Sequence, residues 1–271
     1  MRTRKAIIMI LILVFVAASF AACGGSGAKA TDESLKYVQD RGKLIMGLDD
    51  SFPPMGFRNE QNEIVGFDVD VAKAVAEKLG VELVLQPIDW NAKEQELATK
   101  NIDCIWNGMS VNEERKKNMT LSVAYMDNNM ALVVRSGEGI DTLADMKDKK
   151  LALQAGSSAM DALNSKEEFK KSLKEVVELK DNVQALMNLE TKAVDAVLMD
   201  DVVARYYIEV NEKPFVVLEE TLATEEYAVG FRKGDEALKA AVEDALKELA
   251  KEGKLAEISE KWFGKDITKI K

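Results

Sequence analysis

The stretch GFDVDVAKAVAEKLG, residues 66–80, decides how this chain folds. Its apolar positions recur at the spacing of one helix face, and they are Val69, Ala72, Val75, Ala76 and Leu79. Asp68 is placed to cap the start of that helix, and Gly80 is placed to end it. The spacing therefore predicts an amphipathic helix over residues 68–79 that packs one face against a core.

Short apolar runs alternate with helical patterns on both sides of this stretch. We predict strands at residues 43–48, 82–88, 102–107, 130–135, 150–153, 175–178, 194–199, 215–218 and 227–231. We predict further helices at residues 92–100, 158–164, 182–191, 201–210 and 235–251. Such alternation is typical of an α/β protein whose mostly parallel sheets are covered by helices. Ligands of these folds bind at the carboxyl ends of the strands.

The N-terminal segment has the pattern of a secretory signal peptide. Basic residues at positions 2, 4 and 5 precede an apolar run over residues 6–18, and two alanines precede Cys23. A membrane-spanning anchor is the alternative, but the run is shorter than the roughly 20 residues that such a helix needs. We therefore assign residues 1–22 to a signal peptide. The polar, glycine-containing residues that follow, up to position 31, are predicted to be a flexible tether.

The composition argues against several classes of function. The 271 residues include 37 basic and 47 acidic side chains and no histidine. Removal of residues 1–22 takes away three basic side chains and no acidic one, so the remaining net charge is −13. An acidic chain of this kind argues against nucleic acid or anionic lipid as a partner. The sequence also contains no zinc-ligand spacing, phosphate loop or nucleophile elbow, and we expect no metal or cofactor.

Three segments in this order closely resemble family 3 of the bacterial extracellular solute-binding proteins, the amino-acid receptors of ABC importers. They are LDDSFPPM at residues 48–55, the helical stretch at 66–80, and WNGMSVNEER at 106–115. The resemblance covers essentially all of residues 35–264. It implies the two-lobed periplasmic-binding-protein fold, in which two mostly parallel sheets are joined by a two-strand hinge.

The resemblance also implies that the first lobe is built from two separate parts of the sequence. The chain is expected to cross between lobes near residues 134–137 and again near residues 224–227. This places the first part of lobe 1 at residues 32–134, lobe 2 at 135–226, and the return to lobe 1 at 227–271.

Residues 20–23, FAAC, resemble a bacterial lipobox, in which the cysteine becomes the lipidated N-terminus. The resemblance implies that Cys23 anchors the protein, with residues 24–31 as its tether, at the outer face of the cytoplasmic membrane. Lipidation would leave Cys104 without a disulfide partner in the chain. Cys104 lies in an apolar run, which favours a buried structural thiol over a reactive nucleophile.

An α-amino acid presents a carboxylate and an ammonium group, and lobe 1 has residues that match the family's contacts to both. Arg115 is the expected carboxylate clamp, because a guanidinium binds a carboxylate through two parallel charge-assisted hydrogen bonds. Ser110 matches the residue that donates its backbone N–H and hydroxyl to the same carboxylate. Gly108 matches the residue whose carbonyl accepts from the ammonium. Without the resemblance, Arg115 would be interpreted as a surface residue of a short helical segment that Asn112 can cap.

In lobe 2, the segment QAGSSA at residues 154–159 follows a predicted strand and opens a predicted helix. Free backbone N–H groups at a helix start can bind an anion. The resemblance implies that Ser158 contacts the ligand carboxylate. The alternative is a capping box, in which Ser158 and Asp161 satisfy the first turn of the helix.

Three acids, Asp195, Asp200 and Asp201, lie at the ends of the predicted strand 194–199. The residues alone do not choose among them as a partner for an ammonium group. The resemblance assigns that role to Asp200. It leaves Asp201 to cap the following helix and Asp195 to the entry of the strand.

The pocket for the ligand side chain is matched by Asp49, Phe52 and Trp90. The two aromatic rings would enclose an aliphatic or planar group, although Trp90 is also interpretable as a core residue. Four further residues are left open as neighbours of the pocket: Glu94, Asn107, Met109 and Gln154. Family members selective for glutamine or glutamate often have a cation at the position of Gln154. Its absence, together with Asp49, favours a basic or neutral polar amino acid.

The sequence therefore predicts a lipid-anchored receptor that captures a free amino acid by closing two lobes and delivers it to the transmembrane subunits of an ABC permease. We expect a monomer that is not an enzyme. The alternatives are a sensory amino-acid receptor and an enzyme of the cyclohexadienyl dehydratase type on the same fold. Such an enzyme needs a general acid or base, which without histidine would be Asp, Glu, Lys or Tyr.

Overall fold

The computed structural model describes residues 31–271. The β-strands are β1 (Lys43–Leu48), β2 (Ser51–Phe52), β3 (Gly56–Arg58), β4 (Ile64–Val65), β5 (Glu82–Pro87), β6 (Cys104–Ile105), β7 (Met119–Leu121), β8 (Met126–Arg135), β9 (Lys150–Gln154), β10 (Glu175–Leu179), β11 (Ala196–Asp200), β12 (Phe215–Tyr227) and β13 (Gly230–Arg232). The α-helices are Ser34–Arg41, Phe67–Leu79, Lys93–Ala98, Glu113–Asn118, Ala159–Asn164, Glu167–Ser172, Asn182–Glu190, Asp201–Val210, Glu236–Lys251 and Lys254–Phe263. Short 3-10 helices span Trp90–Ala92 and Leu143–Met146.

The first sheet has the strand order β5-β1-β6-β13-β7. β1 is parallel to β5 and β6, whereas β13 is antiparallel to β6 and β7. The helix Phe67–Leu79 buries its apolar face, which includes Val71, Ala72 and Val75, in the core cluster shared with this sheet. The predicted amphipathic helix is therefore present and covers the sheet as expected.

The second sheet has the strand order β10-β9-β11-β8-β12. β9 is parallel to β10 and β11, and β8 is antiparallel to β11 and β12. Both sheets are thus mixed rather than mostly parallel. The antiparallel strands are β8, which the chain forms after it leaves the first sheet, and β12 and β13, through which it returns. Their direction therefore follows from the connection between the sheets.

Two long strands, β8 and β12, connect the sheets. They pair with each other from Met126↔Tyr227 to Arg135↔Phe215, with irregularities between Val217 and Ala223. β8 pairs with β11 from Met130 onwards, so residues 130–134 lie in the second sheet and the first crossing precedes them. β12 ends at Tyr227, and the next strand, β13, lies in the first sheet. The lobe boundaries given above stay a prediction.

Several elements were missed in the sequence. The helices Ser34–Arg41 and Lys254–Phe263 were not predicted, nor was the small sheet β2-β3-β4. The predicted cap of the helix Phe67–Leu79 is wrong, because the N-cap is Gly66 and no side chain caps it. Asp68 is fully buried and serves another purpose, which is described below.

Cys104 is fully buried in β6 and is a free thiol. Burial raises the pKa of this thiol well above its ordinary value, so the group is unreactive at neutral pH. The prediction of a structural cysteine is confirmed. Between residues 31 and 271, no helix has both the length and the apolar character needed to cross a bilayer. The predicted signal peptide and Cys23 lie outside the described residues.

Candidate functional site

A narrow cleft lies where the ends of the two sheets approach each other. Its lining residues are Asp49, Phe52, Trp90, Asn107, Gly108, Ser110, Arg115, Gln154, Ser157, Ser158 and Asp200. The structure thus brings together all eight predicted ligand-contact residues. It adds Asn107 and Gln154, which the sequence left open, and Ser157, which it missed. Glu94 lines a neighbouring cavity instead, and Met109 is fully buried in the core beneath.

Arg115 is a buried cation without a carboxylate partner among residues 31–271. It lies in the helix Glu113–Asn118, whose start is capped by the Asn112 side chain accepting from the Arg115 backbone N–H at 2.7 Å, as predicted. The guanidinium donates to the carbonyls of Ser110 at 2.6 Å and Gly156 at 3.3 Å. Arg115 is only 4% exposed, and burial lowers its pKa. A buried charge of this kind is costly unless it is paired, so the site is complementary to an anion.

The hydroxyls of Ser110 and Ser158 are both committed to one carboxylate. Ser110 Oγ donates to Oε2 of Glu225 at 2.5 Å, and Ser158 Oγ donates to the same oxygen at 2.9 Å. Ser158 therefore does not form the alternative capping box with Asp161. The backbone N–H groups of both serines have no acceptor within residues 31–271 and remain able to donate to a ligand.

Asp200 closes strand β11 at the cleft and is 6% exposed. Its Oδ1 accepts from Asn128 Nδ2 and from the Tyr227 hydroxyl, each at 2.7 Å. Burial raises the pKa of Asp200 to about 7, and the charge of Glu225 adds to this effect. A carboxylate with so raised a pKa is stabilised by a cation placed beside it.

The two neighbouring acids have other partners. Asp201 begins the helix Asp201–Val210 and forms an ion pair with Arg205 at 2.9 Å, so it is not the cap that the sequence predicted. Asp195 precedes β11 and accepts from the Lys150 backbone N–H at 2.8 Å. Of the three acids, Asp200 is the one that lines the cleft.

The loop that carries Gly108 is held in place by Asp68. One oxygen of the Asp68 carboxylate accepts from the Gly108 N–H at 2.6 Å and from the Tyr125 hydroxyl at 2.9 Å. Gly108 has φ +55°, and a Cβ there would lie 2.9 Å from a ring carbon of Phe52. A side chain at this position would therefore be strained and would push into the cleft.

At the other end of the cleft, Asp49 is held by residues from both sides. It accepts from Gln154 Nε2 at 2.7 Å and from the Ser51 backbone N–H at 2.9 Å. Its own N–H donates to Asn107 Oδ1 at 2.9 Å, while Asn107 Nδ2 has no partner among the described residues. Burial raises the pKa of Asp49 to about 6. This end of the cleft thus offers a carboxylate.

Two aromatic residues form the remaining walls. Phe52 and Trp90 are 5% and 7% exposed, and Trp90 also packs on Leu97 and Ile102 in the core. Both interpretations of Trp90, as a core and as a cleft residue, therefore hold. Lys93 lies 5.2 Å from the Trp90 ring centre, and burial, with the charge of Arg115, lowers its pKa to about 8.

Side chains from the two sides of the cleft hydrogen-bond directly to each other. Besides the Gln154–Asp49 bond, Lys93 Nζ donates to the Gly156 carbonyl at 2.8 Å. Asn112 Nδ2 donates to Asp161 at 2.7 Å. The structure therefore has the cleft closed.

Several residues that shape the site have no sequence signal of their own: Asp68, Lys93, Asn128, Glu225 and Tyr227. The alternation of β12 places Glu225 and Tyr227 on one face, but nothing in that pattern shows which face meets the cleft. Their roles depend on contacts with residues far away in sequence.

The arrangement can hold a zwitterion. Arg115 and free backbone N–H groups are complementary to a carboxylate, while Asp200 and the Gly108 carbonyl are complementary to an ammonium group. Asp49 and the aromatic walls would then surround whatever the zwitterion carries as a side chain.

Comparison with known proteins agrees with this geometry. The sequence model of the family described as bacterial extracellular solute-binding proteins, family 3, matches residues 44–265. The L-cystine-binding protein TcyJ of Escherichia coli strain K12 is 33% identical over 271 residues, covering 98% of this chain and 97% of that protein. The arginine-binding extracellular protein ArtP of Bacillus subtilis strain 168 is 33% identical over 261 residues, covering 94% and 97%.

Solved structures are similar as well. The crystal structure of an ABC uptake transporter substrate binding protein from Streptococcus pneumoniae with bound histidine has a TM-score of 0.86 to this chain. It is 39% identical, and the match covers 89% of this chain and 100% of that one. The likeness thus extends over the whole cleft-forming part of the chain.

Proposed function

Because this chain belongs to family 3 of the bacterial extracellular solute-binding proteins and has their two-lobed fold, we propose that it captures a free amino acid for an ABC importer. The observation that carries the proposal is Arg115, a buried guanidinium without a carboxylate partner among residues 31–271 in a closed cleft. An α-carboxylate would supply the missing charge through two parallel hydrogen bonds.

The same ligand would use both sides of the cleft. Its carboxylate would take donors from Arg115 and from the Ser110 and Ser158 backbones. Its ammonium would lie against Asp200 and the Gly108 carbonyl. Several charge-assisted bonds in a dry cleft are enough for micromolar affinity, which needs about −8 kcal/mol.

We propose a basic or neutral polar amino acid as the ligand. With the α-groups held by Arg115 and Asp200, Asp49 is the charged residue of the cleft lining that remains for the side chain. Its raised pKa would be lowered again by a cationic or donor group beside it. Phe52 and Trp90 would cover the aliphatic or planar part of the side chain.

A thermal-shift screen of the common amino acids, with cystine and ornithine, tests this function. A ligand at 100 times its dissociation constant stabilises the folded protein by about 2.7 kcal/mol, which raises the melting temperature by several degrees. We expect a shift from at least one basic or neutral polar amino acid and none from aspartate or glutamate. Absence of a shift with every amino acid would contradict the proposed function.

We propose binding rather than catalysis. The named relatives are binding proteins, and the titratable groups of the cleft are held by hydrogen bonds that suit a zwitterion. Mass analysis of the amino acid recovered from the protein after the screen distinguishes the two, because an enzyme would return a changed compound.

We also propose that lipidation of Cys23 holds the receptor at the outer face of the cytoplasmic membrane, beside the permease that accepts its ligand. The support is the FAAC sequence at residues 20–23, followed by a polar tether. Cys23→Ser should release the protein from the membrane fraction or leave it as a precursor, measured by fractionation and mass. Cys104→Ala is the control that should stay with the membrane. A Cys23→Ser protein that matures and fractionates like the wild type would overturn the anchor.

A further inference from the structure

Glu225 is a carboxylate behind the cleft wall that joins both sides of the site. It does not line the cavity, yet its Oε2 accepts from Ser110 Oγ on one side and from Ser158 Oγ on the other. The two serines are 48 positions apart in sequence and belong to different sides of the cleft. No other pair of hydroxyls among the described residues shares one carboxylate oxygen across the cleft.

A serine hydroxyl has one proton and two lone pairs. Both protons here are directed at Glu225, so each hydroxyl can offer only lone pairs to anything in the cleft. Neither hydroxyl can then donate to a ligand carboxylate, as the resemblance to the family led us to expect of Ser110. Both are suited instead to accept from a donor, and best from a positively charged one.

We propose that Glu225 is a positioning residue that makes the cleft selective for an α-ammonium group, an inference that rests on the proposed amino-acid ligand. It fixes the Ser110 and Ser158 hydroxyls as acceptors, so that a ligand with three N–H donors is favoured over one with a single hydroxyl. The carboxylate of the ligand is then bound only by N–H groups, which can donate hydrogen bonds but cannot accept them.

The hinge strand gives this residue its position. Glu225 pairs with Asn128 of β8, and Tyr227, two residues on, lies on the same face of β12. Tyr227 donates to Asp200, so one face of one strand orients three acceptors of the site. An antiparallel bridge between Ser110 and Tyr227 brings the Ser110 loop against this strand.

Electrostatics point in the same direction. The charge of Glu225 offsets part of the effect of burial, which lowers the pKa of Arg115, and it adds to the effect of burial, which raises the pKa of Asp200. The charge of Glu225 therefore acts on both residues, and it favours a cation beside Asp200.

The neighbouring Glu226 provides a matched control. It lies on the opposite face of β12 and pairs with Lys269 at 2.5 Å on the surface. Removal of its carboxylate changes the charge of the hinge strand by the same amount without touching either serine.

The test compares each amino acid that shifts the wild-type melting temperature with the 2-hydroxy acid of the same side chain. The first pairs are L-arginine with 2-hydroxy-5-guanidinopentanoate and L-histidine with imidazole-lactate, measured by calorimetry. We expect Glu225→Ala to reduce the preference for the amino acid over the hydroxy acid by roughly tenfold or more, because freed hydroxyls can donate to a ligand oxygen. Glu225→Gln, whose amide oxygen can accept from both serines, should recover part of the preference, and Glu226→Ala should keep all of it.

If Glu225 had a purely structural role, its removal would weaken the binding of both compounds of a pair equally. The ratio of their dissociation constants would then stay unchanged, which would overturn the assignment of Glu225. If the wild type binds amino acids but its variants keep the wild-type ratio, the proposed function survives and this inference fails. If no amino acid binds the wild type, the proposed function fails, and the role of Glu225 fails with it.

Discussion

Arg115→Lys should bind the amino acid roughly 100-fold more weakly than the wild type, measured by calorimetry with the strongest ligand of the screen. A lysine keeps the positive charge but cannot reproduce the planar fork that meets both carboxylate oxygens. Such a loss corresponds to about 2.7 kcal/mol, in the range of charge-assisted hydrogen bonds. The fold should persist, because the bonds that Arg115 makes within the described chain are to two carbonyls at the cleft.

Arg205→Lys is the matched control for this change. Arg205 is exposed on the helix Asp201–Val210 and pairs with Asp201, away from the cleft lining. The Arg205→Lys protein should bind the amino acid with wild-type affinity and melt at nearly the wild-type temperature. Wild-type affinity in Arg115→Lys would show that the α-carboxylate is bound elsewhere.

Asp200→Ala should abolish ligand-induced compaction while leaving weak binding. In the proposed binding mode, contacts of the ligand with Arg115 and Gly108 would exist in the open and closed states and would therefore not favour closure. Contacts with Asp200 and Ser158 would exist only when the lobes meet, so they would supply the differential affinity that closes the cleft. Small-angle scattering with and without saturating amino acid measures the change in radius. A permease that accepts the closed form would receive no signal from this variant.

The pH dependence of binding provides a second readout for Asp200. Its pKa of about 7 means that the carboxyl is increasingly protonated below neutrality and cannot then pair with an ammonium. Affinity should therefore fall as the pH drops from 8 to 6, approaching tenfold per pH unit below the pKa. Asp200→Asn, which keeps the shape but not the charge, should lose most of this dependence between pH 8 and 7, above the pKa of about 6 of Asp49, whereas Asp201→Asn should keep it. In the scattering experiment, compaction of Asp200→Ala as full as that of the wild type would show that another contact drives closure.

Much of the site was predictable because its residues lie in short segments that resemble those of the family. The Asn112 cap and the alternation around β11 place Arg115 and Asp200 at element ends, where ligands of α/β folds bind. Which acid faces the cleft was not predictable from the residues, since Asp195, Asp200 and Asp201 are equivalent in type. The resemblance to the family chose Asp200, and the structure places it in the lining.

Two interpretations based on local capping, the predicted cap at Asp68 and the alternative cap at Ser158, fail for the same reason. Asp68 was interpreted as a helix cap, but its carboxylate accepts from Gly108, 40 residues away. Ser158 could have capped its helix, but its hydroxyl is taken by Glu225, 67 residues away. In both cases a tertiary partner outcompeted the local one, because a buried carboxylate needs donors wherever the fold supplies them.

The sequence by itself determined most of the longer helices and strands. Helical periodicity and short apolar runs depend on neighbours along the chain, so the helix Phe67–Leu79 and strand β1 could be predicted from it. Only the tertiary structure decided where the chain crosses between the sheets and which polar groups meet. Those outcomes depend on pairings between distant segments, such as β8 with β12, and on burial that makes each unpaired donor or charge costly. For that reason the resemblance to the family could predict Arg115 as a clamp, while the orientation of the Ser110 and Ser158 hydroxyls towards Glu225 became visible only in the folded chain.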